Sequence, residues 1–453
     1  MNGDIKVKTA YKQRLKNPPE ILVKYSCYAK DLWNQSNYIL LNEYQKTGRV
    51  PYVFDKGGKT TFERLMHATK NLDGEINWTK LPSCCAQNAG ILLFNSWRGW
   101  VASLQSYKRD KSKFSGVPRP PQFLPKNGKQ VIEFTNLGKF DGDVVMLGRA
   151  SKGEGLLIKL KCDDKRKEQI KKTCKSIKIV PKANNEYEIC FVYDDIPVVA
   201  SEKIAGRLMT IDIGVNNLAT CFVNDVSTRP LIINGGIPKS INCHYNKKTS
   251  LLKSQLTKGR DVLENKKKGK LTSKQINTIT NKRNRQIHDY FHKASKMIVD
   301  YATLNKVEKI YVNGNIGDMK QGIDLGKRAN QKIVQIPWKK LIDMIEYKAR
   351  RYEVEVIRDV DESYTSKTDH VVLESMVHQE KYAGSRIKRG LFKSSAGIIL
   401  NADVNGAVGI ARKVSGDEIV LESVNWKTVM NPLKVNAGDR IFGSGGDVEQ
   451  STT

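Results

Sequence analysis

The 453-residue chain carries eight cysteines, yet no two are spaced C-x-x-C and none lies beyond Cys243. Without such pairs a zinc site has little to build on, and the thiols read as reduced and mostly buried. No stretch approaches the roughly 18 apolar residues of a membrane span, so no membrane partner is expected. The opening run MNGDIKVKTAYKQRLK has no apolar core of the secretory kind, which points to a cytoplasmic protein. Acids are scarce beside bases, 47 against 77, leaving a net charge of +30. That excess draws polyanions, and nucleic acid is the commonest inside a cell. Its spread along the whole chain suits an anionic membrane surface less well. A hydrophobic content of 39% still suffices for two or three packed domains.

The first 117 residues read mostly as helix. Leu22, Tyr25, Ala29 and Leu32 recur at steps of three and four, and Ala86, Ala89, Leu93, Trp97, Trp100 and Leu104 form a second stripe that Ser83 could cap. At that spacing the tryptophans fit a core better than a base-stacking platform. The basic, Gly/Pro-broken run YKRDKSKFSGVPRPP at 107–121 reads as an exposed linker. Between about 129 and 198 come short strands, QVIEF, DVVML, GLLIKLK, KSIKIV and EYEICFVY, which suit a small barrel or a sandwich. From 207 the order is a buried strand RLMTIDIG with hairpin partners, helices over 247–300, strand EKIYVN, a helix from Pro337, strand VEVIRDV and a last strong helix near Asn401. This is a mixed α/β order. Residues 247–285 hold thirteen Lys and Arg and only two acids, too one-sided for ordinary i,i+4 pairing. NKKKGK at 265–270 is expected to turn two helices back on one another.

Three carboxylates stand out. Asp212 ends a buried apolar strand, where a carboxylate is costly unless it is paired or binds a cation. Asp403 lies in N-A-D-V-N-G-A, where Asn401 can cap a helix and Gly406 and Gly409 remove bulk for close approach to a sheet. Glu362 follows VEVIRDV. Strand-end and helix-face acids of this kind can converge on a pair of divalent cations that stabilise phosphodiester cleavage. Taken singly, each could equally be a cap or a surface residue.

The segment I-D-I-G-V-N-N-L-A-T resembles the first RuvC motif of TnpB proteins, the RNA-guided endonucleases of insertion sequences. H-K-A-S at 292–295, V-Q-I-P-W-K-K-L-I at 334–342, D-E-S-Y-T-S-K at 361–367, S-R-I-K-R-G-L-F at 385–392 and N-A-D-V-N-G-A at 401–407 resemble further TnpB blocks in the same order. The likeness is looser in the N-terminal half, through L-P-S-x-x-A-Q at 81–87 and P-R-P-P-Q-F. It implies an α/β plus β-barrel architecture: a ribonuclease-H-like RuvC domain preceded by a wedge β-barrel with a helical recognition insertion. The barrel is expected at 1–10 and 118–205 and the helical region at 11–117. The RuvC domain is expected at 206–362 and 396–413, a target-nucleic-acid-binding insertion at 363–395, and a partly disordered tail at 414–453.

By the same resemblance the catalytic, metal-holding residues are Asp212, Glu362 and Asp403, with two Mg²⁺ that Mn²⁺ can replace. Many relatives place the middle acid at the end of the strand I-Y-V-N-G-N, at Asn313 or a neighbour here, where no acid stands; others, similar to Fanzor proteins, use a later Glu, which favours Glu362 over its neighbours Asp359 and Asp361. Some relatives carry paired C-x-x-C motifs in the insertion. This chain has only His370 and His378 there, expected to face solvent, so no zinc is expected. The implied partners are a guide RNA, with one protein copy each, and a double-stranded DNA target, engaged on the nucleoid. Phosphate contacts are expected from Lys247, Lys248, Lys253, Arg260, Lys282, Arg283 and Arg285, and in the insertion from Lys367, Arg386, Lys388 and Arg389. Gln87 and Asn88 are candidate readers of a flanking motif, because amides can pair with base edges. A nuclease-inactive repressor, a plain RNA-binding transposon protein and a CRISPR-associated effector derived from TnpB remain alternatives.

Overall fold

In the computed structural model, residues 7–49, 80–148, 155–195, 202–257, 272–312, 334–358 and 360–439 are described. The chain divides into two units, Met1–Ile196 and Pro197–Thr453. The first runs β1 (Val7–Leu15), α1 (Glu20–Thr47), α2 (Ser83–Arg109), β2 (Ile132–Phe134), β3 (Leu137–Asp141), β4 (Val144–Leu147), β5 (Leu156–Lys159), α3 (Asp164–Thr173), β6 (Cys174–Pro181) and β7 (Tyr187–Asp195). Two sheets, ordered β1-β7-β6-β2 and β3-β4-β5, contribute to one core with α1 and α2.

The expected stripes are there: Leu22, Tyr25, Ala29 and Leu32 of α1 and Ala86, Ala89, Leu93 and Trp97 of α2 are buried. Trp97 donates its indole N–H to Asn37 Oδ1 at 3.0 Å and stacks edge-on against Trp100, which makes the tryptophans core. Ser83 does not cap. Pro82 holds that place, and Ser83 is the first helical residue, with no side-chain cap bond. The helical region expected from residue 11 begins only at Glu20, because β1 extends to Leu15 to pair along β7. Helix α3 escaped notice because D-K-R-K-E-Q-I-K-K-T buries only Ile170 and so has no apolar period.

The second unit runs β8 (Leu208–Asp212), β9 (Asn217–Val223), β10 (Leu231–Asn234), α4 (Gly236–Thr257), α5 (Lys274–Leu304), β11 (Lys309–Val312), α6 (Trp338–Ala349), β12 (Glu355–Ile357), β13 (Ser385–Lys388), β14 (Leu391–Lys393), β15 (Ile399–Asn401), α7 (Ala402–Ser415), α8 (Glu418–Ser423), α9 (Trp426–Val429) and β16 (Leu433–Val435). Its main sheet has six strands in the order β12-β11-β8-β9-β10-β16. β8, β9 and β10 form an antiparallel meander, and β11 lies parallel to both β8 and β12. Alternation along β8 decides what covers each face. Met209 and Ile211 join a core with Phe291 and Ile298 of α5 and Leu341 and Ile345 of α6. Leu208 packs with Val404, Ala407 and Val408 of α7, and Thr210 Oγ1 donates to Ala407 O at 2.7 Å. α7 is thereby laid across the strand that ends in Asp212.

The segment read as a tail from 414 is folded as far as residue 439. Ile419, Val420 and Val429 bury against the α7 face, and β16 adds a parallel strand beside β10. A three-residue strand among acids and Asn leaves no period to read. The NKKKGK turn and the residues from 440 onward lie outside the described residues.

Trp338 is 2% exposed, and its indole N–H meets no acceptor among the described residues. Trp338→Phe should therefore cost about 1–2 kcal/mol, because a smaller ring leaves a partial cavity while an unmet donor is removed. Trp338→Ala should cost about 3–5 kcal/mol. Urea unfolding of the full chain followed by far-ultraviolet circular dichroism separates the two.

Candidate functional site

Asp212 closes β8, opposite Thr220 of β9. Asn401 caps α7, its Oδ1 accepting from the N–H groups of Asp403 at 2.9 Å and Val404 at 3.3 Å, which sets Asp403 in the first turn. One turn further on, a Cβ at Gly406 would sit 2.8 Å from Asp212 Oδ2, so this glycine is what lets the helix meet the strand end. A Cβ at Gly409 would fall 2.4 Å from His370 Nε2. This second glycine therefore admits the loop after Glu362, where close approach to the sheet had been expected. Asn217 Nδ2 donates to Asp403 Oδ2 at 2.8 Å.

The half-buried carboxyl of Asp212 is pushed up to about 8, first by loss of surrounding water, then by the charges of Asp403 and Glu362; Arg386 pulls it the other way. Three acids from distant parts of the chain thus share one electrostatic environment with one guanidinium. Asp361, adjacent to Glu362, is otherwise engaged. Lys413 Nζ reaches it at 2.5 Å and Ser363 donates through Oγ at 2.6 Å and N at 2.9 Å, holding its carboxyl well below the usual range. Asp359 and Asn313 lie outside the described residues. Like-charged carboxylates repel, and among the described residues no three Asp, Glu, His or Cys side chains stand close enough to enclose an ion. The donor set is still all hard oxygen with surplus negative charge, a chemistry that fits Mg²⁺ or Mn²⁺ and offers nothing to soft metals.

His370 does not face solvent. It is fully buried, with Nε2 donating to Thr365 O at 2.7 Å and Nδ1 accepting from Arg412 at 2.8 Å, and burial pushes it down to about 4. His378 is exposed.

Residues 190–318 match the family model OrfB_IS605, described as a probable transposase, and residues 338–410 match the Cas12f1-like TNB domain. Over these two segments the chain is similar to TnpB-like relatives of the type V effectors. A cryo-EM structure of a Cas12f1–sgRNA–target DNA complex is similar to it in fold, at 17% identity over 86% of this chain and 82% of that one, with a TM-score of 0.51. A CRISPR–Cas12f ternary complex is 16% identical over 86% of this chain and 81% of its own, with a TM-score of 0.35. No functionally curated protein matches.

The basic residues singled out from the sequence divide into two groups. Lys247, Lys248 and Lys253 of α4, Lys282 and Arg285 of α5, and Lys367, Arg386, Lys388 and Arg389 after β12 are exposed. Arg283 is not a surface cation: Nε donates to Asn242 Oδ1 at 2.7 Å, Nη1 to Asn284 Oδ1 at 2.9 Å and Nη2 to Gln335 O, so it ties α4, α5 and the approach to α6 together. Arg260 lies outside the described residues. In the first unit Gln87 is exposed, whereas Asn88 donates to Glu133 Oε2 at 2.6 Å and is held as a packing contact. Two further residues join the site unannounced by any local pattern: Asn217, five residues after Asp212 in the same motif, and Lys413, which engages Asp361.

The displaced titration of Asp212 has a measurable consequence. Folded, its carboxyl keeps a proton up to about pH 8; unfolded, only to about 3.8, so between those values the unfolded chain binds fewer protons. Stability in EDTA should therefore be full below pH 4 and fall as pH rises toward 8. From about 8 against 3.8, the loss has a ceiling of about 6 kcal/mol, lowered by solvent reaching the half-buried group. Asp212→Asn should remove that part of the slope and be the more stable chain at pH 8, as read by chemical denaturation at a series of pH values.

Proposed function

We propose that the chain is an RNA-guided DNA endonuclease that cuts phosphodiester bonds at Asp212, Glu362 and Asp403. The observation that carries this reading is geometric: Asp212 Oδ2 fills the space a Cβ at Gly406 would take, so the strand-end carboxylate meets the helix that carries Asp403, and the charges of Asp403 and Glu362 add to the loss of water in pushing Asp212 up. The fold likeness to a Cas12f1–sgRNA–target DNA complex supports a guide RNA and a DNA target as the partners; one protein copy to each guide is part of the proposal. The three carboxylates would hold two Mg²⁺, with Mn²⁺ able to substitute. Bound there, the ions would lower the pKa of a water and neutralise charge developing on the phosphodiester.

The chain's own groups do the rest. Asp212, Glu362 and Asp403 bring the negative charge that the ions offset. Asn401 fixes the helix turn carrying Asp403, and Gly406 lets that turn reach the strand end. Arg386, close enough to act on Asp212, is placed to take a phosphate of the strand being cut. Lys247, Lys248, Lys253, Lys282 and Arg285 present cations to the phosphates of a guide–target duplex, reading its shape while base pairing reads sequence. Exposed Gln87 is a candidate contact to a flanking motif. Retention of Asp212 and Asp403 weighs against an inactive repressor.

Asp212→Ala should lower Mg²⁺-dependent cleavage by at least about 100-fold while guide RNA binding by filter retention stays within a factor of two. Glu362→Gln should be similarly inactive and Asn313→Ala active; full activity of the Glu362 variant would move the middle acid elsewhere. RNA affinity should fall about 10³–10⁵-fold between 50 and 200 mM salt if six to ten phosphates are neutralised. A flat response would remove α4 and α5 from the binding surface.

A further inference from the structure

Asp403 is held from two sides, and only one of them is explained by helix capping. Asn401 sets its backbone. Its side chain is met by Asn217, the first residue of β9, whose Nδ2 lies 2.8 Å from Oδ2. Because an ionised carboxylate only accepts, the amide must present its N–H₂ to it. The turn that delivers this amide is itself fixed. A Cβ at Gly214 would lie 3.0 Å from Asn217 O and 4.0 Å from Asp403 Oδ2, so the turn lies close against the carboxylate. Gly235 donates its N–H to Asn216 O at 2.7 Å, and a Cβ there would be 2.4 Å from Val215 O. Lys239 of α4 donates to Asn216 Oδ1 at 3.0 Å. Backbone and side chain both clamp the turn, so the amide is offered from a rigid support.

We propose that Asn217 is a positioning residue for Asp403: by tying up Oδ2 it fixes the carboxylate's rotation and leaves Oδ1 aimed for a divalent cation. The assignment rests on the reading of Asp403 as a metal-holding residue. A ligand carboxylate with one oxygen pinned loses little freedom on meeting an ion, whereas a free one can turn away. Loss of such an outer partner typically weakens metal binding or activity by about 10–100-fold. The clamp also places Lys239, on the same helix as Lys247, Lys248 and Lys253, one residue from the positioning amide.

The experiment is a double-mutant cycle read by Mn²⁺ binding, using electron paramagnetic resonance of the free ion on the full chain. Asn217→Leu keeps shape and removes the donor; it should weaken Mn²⁺ binding about 10–100-fold, with an unchanged melting temperature in EDTA. Asp403→Ala should weaken binding as well, and adding Asn217→Leu to it should change nothing further, because nothing remains to be positioned. Asn217→Ala, read the same way, covers the case in which leucine is not accommodated. Wild-type Mn²⁺ affinity in both Asn217 variants, or an effect of equal size on the Asp403→Ala background, overturns the positioning role. Wild-type Mn²⁺ affinity and cleavage in Asp403→Ala itself would instead overturn the reading of the site.

Discussion

The candidate site depends on how closely helix α7 can lie against the end of strand β8. The two candidate carboxylates come from different elements, and a helix normally stands off from a sheet by the width of its side chains. At Gly406 that width is absent, and Asp212 Oδ2 fills the space a Cβ would take. Thr210, two residues earlier on the same face, grips Ala407 O from below. The contact is therefore fixed by a missing side chain and one buried hydrogen bond, with Val404 and Val408 supplying apolar area on either side.

Bringing acids together this way is unfavourable in an empty site. Asp212 feels both other acids on top of its loss of surrounding water, and its carboxyl is pushed up. Asp361 is removed from the problem by Lys413, which turns a fourth nearby carboxylate into a surface ion pair between the Glu362 loop and α7. Arg386 contributes the opposite sign from an exposed strand. The chain carries a net charge of +30, so this small acidic point stands against an overall charge that favours polyanions.

Much of this was legible in the residues. Long stripes such as Leu22–Leu32 and Ala86–Trp97 define their helices because repeated burial at 3.6-residue spacing leaves a pattern no other element produces. Asp212 and Asp403 could be singled out because a carboxylate ending an apolar strand, or beside glycines in an otherwise apolar helix, contradicts its surroundings. What could not be read was pairing across long separations. Nothing local distinguishes Asn88, held by Glu133, from Gln87, which is exposed, or Arg283, spent on three oxygens, from Lys282 beside it. β16 and α3 were missed for a different reason: three residues or a single buried Ile carry too little periodicity to detect. The tail looked solvated because its acids are visible in sequence and its strand partner, β10, is not.

The insertion after Glu362 solves a folding problem without the thiolates that paired cysteines would bring. Asp369, fully buried, accepts from Ser394 Oγ at 2.9 Å, Ser395 N at 2.7 Å and Ser395 Oγ at 2.9 Å, joining the start of the loop to the turn after β14. Arg412 of α7 reaches His370 Nδ1, Glu374 O and Asp417, so the same buried guanidinium links the loop to the helix that carries Asp403. His370 can accept from Arg412 only while Nδ1 is bare, and burial beside that cation keeps it neutral at any ordinary pH. A charge this deep is tolerable only with its partners in place. Through these bonds Asp369 and Arg412 tie the loop bearing Glu362 to the turn after β14 and to α7.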